Sequence, residues 1–138
     1  MKKKILVDMS ATLIHHGHIR LLKEANKRGE VIIALTSDEE IIKHKGYEPE
    51  LSYEFRKEIL ESIKYVHKVI KSPWHLNNNF LRKSGADYLL HGSDNSNDID
   101  ESKLIILKRT EGISSSLLRT RVTRTILTKA GLETDLSL

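Results

Sequence analysis

Short β-branched apolar runs alternate along this chain with segments of helical periodicity, and that alternation leaves few folds open. Ile5–Asp8 reads as a short buried strand, and residues 17–28 repeat apolar positions at Ile19, Leu22 and Ala25 before Gly29 stops the helix. Val31–Leu35 is a second strand. Asp38 is placed to cap a helix that runs to about His44. After a polar loop from Lys45 to Leu51, Ser52 opens a helix expected to bury Phe55, Ile59, Leu60 and Ile63 on one face. Val66–Ile70 reads as a strand ended by Pro73, residues 77–84 as a helix closed by Gly85, and Tyr88–Leu90 as a fourth strand. A polar loop from Gly92 to Ser102 precedes a fifth strand at Leu104–Leu107. Ser114–Ser116 then open a final helix to roughly Thr128. Strands alternating with helices imply an α/β fold, a five-stranded parallel sheet flanked by helices, joined by right-handed crossovers. Ligands of such sheets sit beyond the carboxyl ends of the strands, where strand order switches.

The 138 residues suit one domain with its own core. There is no cysteine, which excludes disulfides and thiolate metal sites and fits a cytoplasmic location. The basic start Met1–Lys4 is followed only by Ile5-Leu6-Val7 before Asp8, too short for a signal or membrane segment. Net charge is +4, yet the basic residues are spread among 19 acidic ones, and only Arg119–Arg124 is locally basic. A phosphate-rich small ligand accounts for that excess as well as a nucleic acid does, and the basic residues lack the interleaved aromatics of a single-strand binder.

Two segments carry the chemistry, each just after a strand and opening a helix. In His15-His16-Gly17-His18 the first helical turn offers unpaired N–H groups and partial positive charge, and Gly17 permits close backbone approach. His15 and His18, three apart, face one side and can donate hydrogen bonds to a phosphate that gains charge in a transition state. Zinc binding is disfavoured because no third ligand stands at the usual spacing, while idle surface histidines remain an alternative. In Arg109-Thr110-Glu111-Gly112-Ile113-Ser114-Ser115, the arginine offers a planar cationic fork and the serines can cap a helix or hold phosphate oxygens. An ordinary serine cap beside a surface arginine is the plainer reading of that segment alone. The duplication argues for one triphosphate gripped from both sides.

Together these two segments resemble the cytidylyltransferases, which act on glycerol 3-phosphate, phosphocholine, phosphoethanolamine or 2-aminoethylphosphonate. The likeness runs from about Lys4 to Arg121, leaving 122–138 as the end of a helix and a tail of the same domain. The H-x-G-H pattern is shared with adenylyltransferases, whereas Arg109-Thr110-Glu111-Gly112-Ile113-Ser114 is similar to the CTP-specific segment. Met9–Ile14 and Leu51–Lys57 look like the phosphonate branch; Ser72-Pro73-Trp74 and His91-Gly92-Ser93-Asp94 look like the phosphocholine and phosphoethanolamine enzymes.

The resemblance implies a Rossmann-like nucleotidyltransferase fold, a homodimer, and transfer of CMP from CTP to a small phosphate or phosphonate with release of pyrophosphate. It implies that Met9, Ser10, His15, Gly17 and His18 meet the nucleotide, with Lys45 as a further phosphate ligand. Gly92 and Asp94 would lie near ribose and base, and Arg109, Gly112, Ile113, Ser114 and Ser115 would hold the triphosphate. His15, His18, Lys45 and Arg109 are the expected catalytic groups. No protein metal ligand is expected, and magnesium would be carried mainly by CTP phosphates, since it keeps much of its water shell. Arg56, Trp74 and His91 are candidates for the acceptor; Arg56 pairing with a glutamate of its own helix, Trp74 packing at a strand end and His91 in a structural hydrogen bond are the alternatives. His44, His67 and His75 are expected to face water. The chain departs from the family at Thr12, where most members carry aspartate, and in the short polar loop after Asp94. An adenylyltransferase and a nucleotide-binding domain without catalysis stand as the competing readings.

Overall fold

The computed structural model describes residues 2–132; the end of the expected tail, 133–138, lies outside the described residues. The strands are β1 (Lys4–Met9), β2 (Glu30–Thr36), β3 (Lys68–Ser72), β4 (Tyr88–Gly92) and β5 (Leu104–Leu107). The helices are α1 (His16–Asn26), α2 (Asp38–Lys45), α3 (Tyr53–Glu61), α4 (Asn78–Ser84) and α5 (Ser115–Lys129). The sheet is parallel throughout, in the order β3-β2-β1-β4-β5. The chain moves outward from β1 to β3 and then crosses to β4, so the switch point lies between β1 and β4.

The central strands read as unbroken apolar runs because both faces of the sheet are covered. One face sets Ile5, Val7, Val31, Ile33, Leu35 and Leu90 against Leu22 and Ala25 of α1 and Tyr53 and Leu60 of α3. The other sets Leu6, Ile32, Ala34 and Leu89 against Leu76, Leu81 and Ile99. Alternation along β1 therefore sends successive residues to opposite layers.

Three sequence expectations about this frame are corrected. Ser37, not Asp38, caps α2, its hydroxyl accepting from Glu40 N–H at 3.2 Å. This leaves the Asp38 carboxylate free to accept from the Tyr53 N–H (3.0 Å) and from Arg56 (2.6 Å). The buried face of α3 is Tyr53, Arg56 and Leu60, while Phe55 and Ile59 are exposed. An arginine took the inward position that periodicity gives to an apolar residue. β3 begins two residues later than expected, because Val66 closes a turn on Ile63.

Candidate active site

The end of β1 turns sharply. Ala11, buried at 3% exposure, has φ of 47°, the one non-glycine residue among those described with a positive φ. Such a conformation persists only where surrounding structure enforces it, commonly near a site. The turn brings the chain back so that α1 opens over the carboxyl end of the sheet.

At that opening the two sequence segments meet. The Ser115 hydroxyl donates to Leu13 C=O (2.9 Å) and accepts from Leu13 N–H (3.3 Å), joining the start of α5 to the approach to α1. A Cβ on Gly17 would lie 2.8 Å from His15 Cε1 and 3.3 Å from Ile113 Cγ2. Glycine there admits the His15 ring and Ile113.

The histidines are fixed as a capping pair. His15 Nδ1 accepts from Gly17 N–H and His18 Nδ1 accepts from His15 N–H, each at 3.1 Å. An Nδ1 that accepts cannot carry a proton, so each ring is neutral and presents an Nε2–H donor. Burial, with His16 and Arg109 nearby, lowers the pKa of His15. Burial, with His15 and Arg109 adding to it, pushes His18 down to about 3.

Both rings line a cavity of about 310 Å³ with Gly17, Gly92, Asp94, Arg109 and Ile113. Gly92 leaves room for its neighbours, since a Cβ there would crowd Arg109 Cγ and Asp94 Oδ1 at 3.0 Å each. A second cavity of about 310 Å³ adjoins it, lined by Met9, Ser10, Thr36, Lys45, Trp74 and Asn97 among others. Asp8, His91 and Asp94 line both cavities and form the wall between them. The register pairs Val7 with Leu90, so the next residues, Asp8 and His91, stand side by side at the switch point.

Residues 10–121 match the cytidylyltransferase-like family. The chain belongs to that family. Glycerol-3-phosphate cytidylyltransferase of Staphylococcus aureus is 37% identical over 124 residues, covering 85% of this chain and 92% of that protein. The Bacillus subtilis protein of the same name is 31% identical over 125 residues, covering 87% and 97%. Ethanolamine-phosphate cytidylyltransferase of Mus musculus is 30% identical over 139 residues, covering 92% of this chain but 34% of that longer protein. The lipopolysaccharide core biosynthesis protein of Thermoplasma volcanium, at 18% identity, TM-score 0.68 and coverage of 80% and 100%, shares the fold.

Against this cytidylyltransferase frame, several expected roles move. Met9, Ser10 and Lys45 line the second cavity and not the one that holds the histidines, with Lys45 Nζ 5.8 Å from the Trp74 ring centroid. Ser114 caps α5, accepting from Leu117 N–H at 3.0 Å, and the Ser115 hydroxyl is engaged by Leu13, so these hydroxyls secure the helix start. Gly112, with φ of 77°, turns the chain into α5. Neither serine nor Gly112 lines the histidine cavity.

Arg56 is corrected outright as an acceptor ligand. It is fully buried and donates to Leu51 C=O (3.0 Å), Ser10 C=O (2.6 Å), Thr36 C=O (3.0 Å) and Asp38 (2.6 Å). Its partner is Asp38, not a glutamate on its own helix, and it holds the floor of the second cavity from behind. Trp74 lines that cavity with one ring face stacked on His44, centroids 4.8 Å apart. His44 and His67 are exposed as expected; His75, also exposed, lines the second cavity.

Thr12 is buried, and its hydroxyl accepts from Arg119 at 3.2 Å. Arg119 also pairs with Glu50 (2.7 Å) and donates to the Tyr47 hydroxyl (3.1 Å). The carboxylate at this junction therefore comes from Glu50, on the loop that follows Lys45. Asp8 and Asn97 escaped sequence reasoning. The available signal was a carboxylate at the C-terminal end of the first parallel strand.

Proposed function

We propose that this enzyme transfers CMP from CTP to a small phosphate- or phosphonate-bearing acceptor. An ionised acceptor oxygen attacks the α-phosphorus, an oxygen–phosphorus bond forms, and the bond to the β-phosphate oxygen breaks as pyrophosphate leaves. The observation that carries this reading is the pair of cavities meeting at one wall, with neutral imidazole donors and Arg109 on one side and Lys45 on the other. The nucleotide takes the histidine cavity and the acceptor takes the other.

No covalent intermediate is needed, so the chain contributes positioning and charge stabilisation. His15 and His18 donate from Nε2 to the α-phosphoryl oxygens. Arg109, paired with Asp94 at 2.9 Å but largely exposed, exchanges that partner for the triphosphate. Lys45 holds the acceptor's phosphate.

Magnesium, a hard cation that favours oxygen ligands, would accompany the nucleotide. Among the described residues no group of three His, Asp or Glu side chains is arranged to hold a metal ion. Asp8 already engages His91 and Asn97. Triphosphate oxygens would be its main ligands, and bound there it would supply neutralisation of phosphate charge. The family resemblance supports a cytoplasmic homodimer, and no described helix is long and apolar enough to cross a membrane.

For the acceptor, an amino-alcohol phosphate or its phosphonate analogue is favoured, because the Trp74 indole and, once Arg109 turns to the triphosphate, Asp94 offer contacts for an ammonium group. Glycerol 3-phosphate is the second reading, favoured by the names of the two bacterial relatives. Pyrophosphate release with magnesium, CTP or ATP, and a panel of phosphoethanolamine, phosphocholine, 2-aminoethylphosphonate and glycerol 3-phosphate tests this. CTP is expected to exceed ATP, and an amine-bearing acceptor to exceed glycerol 3-phosphate. ATP turnover above CTP favours an adenylyltransferase, and no pyrophosphate with any acceptor removes the reading.

A further inference from the structure

The wall between the cavities contains a side chain with no role in the reaction as derived so far. His91 Nδ1 makes a very short contact with Asp8 Oδ1, and its Nε2 lies 3.6 Å from Asp94 Oδ1. Each ring nitrogen therefore faces a carboxylate. A neutral imidazole has one lone pair, which in either tautomer would point at a carboxylate oxygen; the doubly protonated ring satisfies both sides. The far atoms extend the chain. Asp8 Oδ2 accepts from Asn97 Nδ2 at 2.9 Å, and Asp94 Oδ2 accepts from Arg109 at 2.9 Å.

We propose that His91 is a positioning residue, an imidazolium clamped between Asp8 and Asp94 that fixes the shared wall and, through Asp94, sets where Arg109 waits for the triphosphate. This rests on the reading of the two cavities as nucleotide and acceptor sites. The clamp ties together the ends of three neighbouring strands: β1 through Asp8, the loop after β4 through Asp94 and Asn97, and the segment after β5 through Arg109. Other charged or titratable groups look onto it across the cavities, His15 and His18 from α1 and Lys45 and His75 from the acceptor side.

The charge state follows the same geometry. Burial works against the imidazolium, but the hydrogen bond to Asp8 and the charges of Asp8 and Asp94 outweigh it, with Arg109 opposing, and the pKa of His91 is raised. The clamp is then complete below about 6.5, the ordinary histidine value. It is lost as pH rises through the elevated folded value. Deprotonation sets a lone pair against a carboxylate and loosens Asp94, so kcat/KM for CTP declines on the alkaline side.

Imidazole NMR of the full-length protein, with turnover measured in parallel, tests the clamp. His91 is expected to titrate above 6.5, with both nitrogens protonated below that value, and Asp8→Asn to move the midpoint down by about one unit or more, a tenfold change in proton affinity. His91→Gln should lower kcat/KM for CTP by roughly tenfold or more, the scale of a misplaced binding group, and erase the alkaline decline. Titration of His91 at the ordinary value in both proteins overturns the clamp, as does an alkaline limb that survives His91→Gln. A raised, Asp8-dependent titration in a protein that turns over no CTP upholds the clamp and overturns the proposed function, so the two failures are distinct.

Discussion

Arg56→Met is expected to lower folding stability by roughly 3 kcal/mol, the low end of the range for removing one partner of a buried ion pair, because Asp38 is part-exposed. The guanidinium is fully buried, and three carbonyls and a carboxylate depend on it. Methionine fills much of the stem's volume but removes the donor that the Ser10, Thr36 and Leu51 carbonyls share, and the Thr36 bond is buried. A loss of that size is a large share of the 5–15 kcal/mol typical of a domain. Arg56→Lys keeps the charge but lacks the fork, and should fall between the two. Urea midpoints of the three proteins check this, and a methionine variant within about 0.5 kcal/mol of wild type, the scale of an ordinary surface substitution, would return Arg56 to the list of ligands.

The second large effect is catalytic. His18→Ala should lower kcat by roughly a hundredfold or more, the scale of losing one preorganised donor to a charge-developing oxygen. The ring also caps α1 by accepting from His15 N–H, so alanine costs about 1 kcal/mol of stability as well. His18→Asn separates the two effects, since its amide oxygen can accept from that N–H while no donor reaches as far as Nε2. Stability should recover in the asparagine variant and turnover should not. Because burial holds His18 neutral down to about 3, its donor needs no added proton, and acidification from pH 8 to 6 should leave the His18 contribution unchanged. A folded alanine variant with near-normal kcat would remove His18 from the chemistry.

Most of the fold was legible because the sheet is buried on both faces, so β2 announces itself as an unbroken run from Val31 to Leu35. The convergence of the two segments was legible for a topological reason: both follow parallel strands, and parallel strands end on one edge. What the sequence concealed were side chains whose roles depend on distant partners. Arg56 sits at a helical position that usually takes an apolar residue, and nothing local reveals the carbonyls it will meet from Ser10 and Thr36. Asp8 looked like an interruption of an apolar run, since its partner His91 lies 83 residues on. Ser115 was identified as a site residue, but its hydroxyl is engaged by the Leu13 backbone and joins one motif to the other. Local reading cannot separate a hydroxyl that holds phosphate from one that holds a backbone.

CMP transfer as proposed requires the histidine turn and the Arg109 segment to form one nucleotide pocket. Imidazole and guanidinium resonances followed during a CTP titration test it directly, with His67 as control because it pairs near Glu30 at the opposite end of the sheet. The result required is that His15, His18 and Arg109 shift together along one saturating curve while His67 stays still. Saturable CTP binding that leaves the two histidines unmoved, or that shifts His67 in their place, would contradict it.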